Sequence, residues 1–211
     1  FAPDARMTKI LTEAVAVGNA TARALTFRPR IDGVYYFPDR KWFTSFPGGS
    51  YEFLTQPGVR NLDARVLFHY YATGITPAMA LKMVGIGSQY AAATTDSEGK
   101  PLDGSKTYKI HLPPNIPARN FWSFVVYDNQ TRSMLQTDQQ FPSISSLKQG
   151  VVINPDSSVD VWFGPEAPEG HEANWVQTVP GKGWNVLLRL YGPEQAWFDK
   201  TWKPGDFELV E

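Results

Sequence analysis

From Ser88 to Tyr191 the apolar residues come in short runs, each closed by a turn rich in proline, glycine or aspartate, and no helical period joins one run to the next. Runs of this length suit a strand and are too short for a helix that must bury a face. The runs are Ser88–Thr95, Thr107–Leu112 (closed by Pro113-Pro114), Phe121–Tyr127, Val151–Asn154, Ser158–Phe163, Trp175–Thr178 and Trp184–Tyr191 (closed by Gly192-Pro193). Pro155-Asp156-Ser157 between the fourth and fifth reads as the turn of a hairpin. About seven strands at hairpin-like spacing predict an antiparallel sandwich of the jelly-roll kind. No β-α-β alternation follows residue 87, which argues against a doubly wound sheet. Seven Trp, nine Tyr and thirteen Phe supply the rings for its core. The predicted fold class is therefore mainly β, a jelly-roll-like antiparallel sandwich with an N-terminal helical lead.

The lead occupies the residues before 87. Positions 4–25 carry Ile10, Leu11, Ala14, Val15, Val17, Gly18, Ala22 and Leu25 at helical spacing, with Asp4 or Thr8 as the cap and Arg28-Pro29-Arg30 as the stop. Residues 33–56 are aromatic and irregular. Residues 60–72 predict a second helix ended by Gly74, and Thr76-Pro77 opens a short one through Val84. The apolar face of the first helix, with Tyr35-Tyr36-Phe37 and Trp42-Phe43, needs cover, since apolar patches of that size are uncommon on monomers. The cover could be the β part, a second copy of the chain (a homo-oligomer), or an N-terminal domain retained as a cleaved piece. The expectation is self-association through residues 1–60, or retention of such a piece.

Several function classes are disfavoured by composition. The net charge of -1 leaves no electrostatic footprint for nucleic acid. No apolar run is long enough to span a membrane. With no cysteine there is no disulfide and no thiolate nucleophile. His69, His111 and His171 do not fall at ligand spacing, so neither a metal nor a cofactor is expected. There is no G-x-S-x-G elbow and no phosphate loop. The start at Phe1-Ala2-Pro3-Asp4 reads as a mature, cleaved or truncated product.

Two segments have the make-up of a binding site. Tyr127–Asp138 follows the strongest strand and gathers an acid at each end, amides, hydroxyls and one arginine. Asp128, Arg132 and Asp138 are expected to form one polar network there, able to hold a polar ligand bidentately. Asp128-Asn129 is equally a turn signal, with Arg132 serving only to pair an acid. In the second segment Trp175 lies beside Asn174 and Gln177, a flat ring flanked by amides, as on a sugar-stacking surface; a core tryptophan is the structural alternative. The candidate ligand-binding residues are thus Asp128, Arg132, Asp138, Trp175 and Gln177. Asp128, Asp138, Asp160 and Glu172 could also supply a glycosidase pair, although most such acids are solvated or cap turns.

A family resemblance rests on longer blocks. Ala78-Met79-Ala80, Gly87-Ser88-Gln89-Tyr90, Leu112–Pro117, Asn120-Phe121-Trp122-Ser123, Tyr127–Thr137, Val161-Trp162-Phe163-Gly164-Pro165, Asn174–Trp184, Arg189–Pro193 and Trp197–Gly205 resemble the C-terminal domain of the bacterial two-domain proteins known as domains of unknown function 1254 and 1214. The resemblance implies a jelly-roll-like C-terminal domain, an N-terminal monellin-like domain in the usual full-length protein, and export to the periplasm or beyond. It would make residues 1–60 the tail of that first domain plus a linker helix, and 61–211 the C-terminal domain. It carries no catalytic residues. Three functions follow as expectations: binding of a carbohydrate or other small polar ligand, hydrolysis at a site in or between the domains, and assembly with a partner.

Overall fold

A computed structural model describes residues 1–72 and 74–210. They divide into two compact units, one of residues 1–34 and 45–80, the other of residues 35–44 and 81–211.

The first unit is helical. Helix α1 spans Ala5–Phe27, and Asp4 caps it by accepting from Met7 N at 2.7 Å. Thr8 lies inside the first turn, its hydroxyl donating to Asp4 O. The helix closes where Arg28 N donates to Ala24 O, just before Pro29 can no longer continue it. Strands β1 (Leu54–Gln56) and β2 (Val59–Arg60) form a small antiparallel ribbon. Helix α2 (Leu62–Ala72) follows, capped by Asn61 Oδ1 on Ala64 N at 3.0 Å. Phe53, Ala64 and Phe68 form this unit's core with Phe46 against them. The end of α1 packs on α2, where Phe27 meets Tyr70 edge-on and Arg23 donates to the Tyr70 hydroxyl. Farther up α1, Val15 and Val17 are 72% and 66% exposed. The turn after Thr76 is a 3-10 turn over Pro77–Ala80, shorter than predicted; the chain reaches Gly85 at a positive φ of 74°.

The second unit is a sandwich of two four-stranded sheets. Its strands are β3 (Ser88–Ala93), β4 (Tyr108–Leu112), β5 (Ala118–Asp128), β6 (Ser143–Ser145), β7 (Val159–Gly164), β8 (Trp175–Gln177), β9 (Trp184–Pro193) and β10 (Glu208–Leu209), with a short helix α3 at Gln195–Phe198. One sheet has the order β3-β9-β5-β6, the other β10-β4-β7-β8. The chain crosses between sheets from β3 to β4 to β5, and the early β3 pairs with the late β9, as in a jelly roll.

The expectation of uniformly antiparallel strands fails at one pair: β8 runs parallel to β7. The connection through Pro165, Pro168 and Gly170 carries the chain back before β8 begins, so it re-enters in the same direction. Val151–Asn154 is not a strand either. Asn174 holds that segment instead, accepting from Val152 N and donating to both Val152 O and Asp160 O. One amide side chain thus does the work of a ladder. The strands β6 and β10 were not anticipated, being short and without an apolar period.

Alternation along the strands builds the core. Tyr108, Ile110 and Leu112 of β4, Trp122, Phe124 and Val126 of β5, Val161 and Phe163 of β7 and Trp184, Val186, Leu188 and Leu190 of β9 all point inward. Trp184 stacks on Phe163 at 5.5 Å and meets Phe207 at 5.4 Å, while Phe124 meets Phe163 edge-on at 5.6 Å. Residues 35–44 thread into the same core. Trp42 is fully buried, donating from Nε1 to Gly205 O, and Phe43 pairs through its backbone with Ala92 at the edge of β3. Phe37, Trp42 and Phe43 are therefore covered by the β part, one of the three covers weighed above, whereas Ile10, Leu11, Val15 and Val17 of α1 stay exposed.

A contrast of two glycines tests this packing. A Cβ on Gly104 would fall far inside contact with the backbone of Val179, whereas one on Gly18 in α1 meets nothing within 4 Å. Gly104→Ala is expected to cost about 3 kcal/mol by overpacking, and Gly18→Ala to add about 1 kcal/mol of helix stability, both read from thermal and urea unfolding.

Candidate functional site

Asp128 ends β5, and the chain turns sharply after it. Its carboxylate accepts from Gln130 N at 2.6 Å, Thr131 N at 3.2 Å and Lys182 Nζ at 2.7 Å. Arg132 closes the same turn: its N–H donates to Asp128 O, its φ is 64°, and its guanidinium donates to Gln130 O. Burial works to raise the pKa of Asp128, but the bonds from Lys182 and the two N–H groups outweigh it and hold the carboxyl below the usual aspartate range.

Asp138 has different partners. Its N–H donates to Gln177 Oε1 at 2.9 Å, and its carboxylate accepts from Gln177 Nε2 at 3.2 Å. Gln139 reinforces the contact, accepting from Gln177 N and donating to Trp175 O. These amides occupy the open backbone groups of β8, the edge strand of its sheet, and so tie the 136–140 loop to it. Of the five predicted residues, the structure brings Asp138, Gln177 and Trp175 together and places Asp128 and Arg132 in the capped turn.

Trp175 belongs to a larger outward face. Its indole Nε1 donates to Gly164 O at 3.0 Å, and the residue is half-buried. In register beside it on β7 is Trp162, on which the exposed His171 ring stacks at 3.8 Å and 15°. Lys109 of β4 lies opposite Trp162 and holds its ammonium 5.6 Å from the ring centre. One step along, His111 Nδ1 meets Asp160 Oδ1 at 2.8 Å, and Asp160 Oδ2 takes Lys109 and Asn154 at 3.2 Å each. Burial pushes Asp160 up, and the bonds from His111, Asn154 and Lys109 bring it below the ordinary value. Sequence reading missed Lys109, His111, Trp162 and His171 as site residues. The outward phase of Lys109 and His111 between Tyr108, Ile110 and Leu112 was a usable signal; their partners follow only from the β4–β7 register. Among the described residues no group of three His, Asp or Glu is placed to hold a metal ion, and no helix is long and apolar enough to cross a membrane.

With this geometry in view, the chain belongs to the family described as Protein of unknown function (DUF1214), whose model matches residues 87–195. The crystal structure of the VPA0106 protein from Vibrio parahaemolyticus is similar over 100% of the chain and 47% of its own, with 18% identity and a TM-score of 0.55. An uncharacterized protein from Burkholderia cenocepacia is similar over 99% of the chain and 44% of its own, with 15% identity and a TM-score of 0.45. The chain spans less than half the length of either solved chain. No functionally curated protein matches it.

The Asp128 turn makes a pH prediction. Its folded pKa is depressed, so the stabilisation is present above the unfolded aspartate value of about 3.9 and is lost as pH falls through the lower folded value. Asp128→Ala leaves two N–H groups and Lys182 without their acceptor. It is expected to cost about 2 kcal/mol at neutral pH and to flatten the loss of stability below about pH 4, as measured by denaturant unfolding across pH.

Proposed function

We propose that this protein is a binding domain that holds a small polar ligand of carbohydrate type on the outer face of β4, β7 and β8. The observation that carries the reading is the flat platform of His171 stacked on Trp162, with Trp175 next in register. Around it stand groups that match a polyhydroxylated ligand: Lys109 and His111–Asp160 on the β4 side, Asp138 and Gln177 on the β8 side. A sugar ring offers an apolar face to stack on such a platform and hydroxyls that both donate and accept at its rim. Asp128 and Arg132 stay in the proposal only as the capped turn that follows β5 of the other sheet. Export to the periplasm or beyond and a further N-terminal domain of the 1254 type in the full-length protein complete it.

The test is titration of the chain with a panel of neutral disaccharides, followed by tryptophan fluorescence and the His171 ring resonances. Saturable quenching that His171→Ala weakens about tenfold, the scale of a lost ring contact with its hydrogen bonds, would support the reading. Absence of saturation with every sugar, or unchanged binding in His171→Ala, would sink it.

A hydrolase reading draws on one observation, the 2.8 Å His111–Asp160 pair. With Nδ1 engaged by the carboxylate, Nε2 is the nitrogen left for proton transfer. Turnover of nitrophenyl glycosides that disappears in His111→Gln would favour it; turnover at the buffer rate excludes it for those substrates.

A further inference from the structure

The opposite outer face, on β3, β9 and β5, carries a different arrangement. Arg189 stands on β9, between Tyr90 of β3 and Ser123 of β5 in register. It is half-buried, and its Nη2 donates to the Tyr127 hydroxyl. Its guanidinium carbon lies 5.8 Å from the centre of the Tyr90 ring. Among the described residues no carboxylate pairs with it, and its Nε is buried with no acceptor.

The phenols repeat the pattern. Tyr127 accepts from Arg189, and among the described residues its own O–H has no acceptor. Tyr90 accepts from Ser88 Oγ at 2.8 Å, which leaves its O–H in the same condition. Tyr127 is close enough to Tyr90, Tyr191 and Arg189 for each to act on its ionisation. Tyr191 stacks on Phe121 at 4.1 Å and extends the face in the next register row. The cluster therefore holds one cation without a carboxylate and two hydroxyl protons without an acceptor among the described residues. A half-buried cation without a counter-charge is uncommon. The face formed by Lys109, His111 and Asp160 contrasts with it, because there each donor has its carboxylate.

We propose that the Arg189–Tyr127–Tyr90 cluster is a binding site for the oxyanion group, carboxylate or phosphate, of a small ligand. The guanidinium supplies the charge and the planar fork, and the two phenols donate to the same oxyanion from the strands on either side of β9. The aromatic rings of Tyr90, Tyr191 and Phe121 would flank the remainder of the ligand. This site is independent of the sugar-type platform on the other sheet.

The test uses succinate and inorganic phosphate as probes, with acetamide as the neutral control, at constant ionic strength. Wild-type protein is expected to show a raised thermal midpoint and saturable binding with at least one oxyanion and none with acetamide, because a ligand that binds only the folded state stabilises it. The preferred probe tells carboxylate from phosphate. Tyr127→Phe should weaken binding about tenfold, the scale of a lost hydrogen bond to a charged group, and Arg189→Gln should abolish it with the circular dichroism of the fold retained. If Arg189→Gln does not fold, the double variant Tyr127→Phe, Tyr90→Phe decides alone: loss of at least about tenfold supports the site, and wild-type affinity overturns it. No binding by either oxyanion, or equal binding by folded Arg189→Gln, also overturns it.

Discussion

The seam of aromatic rings between the two sheets is the constraint from which the rest of the sandwich follows. Phe124, Phe163, Trp184 and Phe207 meet edge-to-face or stacked within it, and Trp42 reaches the same rings from the threading segment 35–44. Large rings bury much apolar area but pack only in a few offset or edge-on geometries, so they set where each strand stands relative to its partner. Glycines accommodate the close approaches this requires. Gly164 passes against Thr107 and Gly205 against His111 with no room for a Cβ. Once the inward positions are spent on rings, the outward positions of the same strands are fixed in place and available for other chemistry.

Polar side chains then finish the backbone accounting. Asn174 binds a segment that forms no strand, Gln139 and Gln177 cover the edge of β8, and Asp128 caps the turn after β5. Each satisfies main-chain groups that no helix or strand ladder pairs. The amide- and acid-rich composition that marks these residues as ligand-binding candidates is thus also what such closure demands. The structural and functional readings overlap because both draw on short side chains that donate and accept at fixed angles.

The two outer faces differ in electrical balance. On the β4-β7-β8 face, Asp160 meets His111, Lys109 and Asn154, and the aromatic platform sits beside a neutralised cluster. On the β3-β9-β5 face, Arg189 and its phenols form a cluster with spare donors and no carboxylate. A balanced face with flat rings suits an uncharged ligand of many hydroxyls. A face with a cation and spare donors suits an anion, whose charge would complete the cluster.

Much of the architecture was legible in the residues themselves. The short apolar runs from Ser88 to Tyr191 marked the long strands, and Asp4 and Arg28-Pro29 bounded the first helix, because period, capping and chain stiffness are local properties. Local signals could not find β6 and β10, which pair without an apolar pattern, or the parallel direction of β8, which depends on the path of the loop before it. The same limit applied to the sites. Trp175, Gln177 and Asp138 were noticed by composition, but the contact between them joins residues 39 apart. His111 with Asp160 is 49 apart, and Arg189 with Tyr127 is 62 apart. Sequence alone determined where the apolar runs and the turns between them fall. Only tertiary structure decided which outward residues meet, because strand register sets those pairs and is fixed by the packing of the rings beneath them.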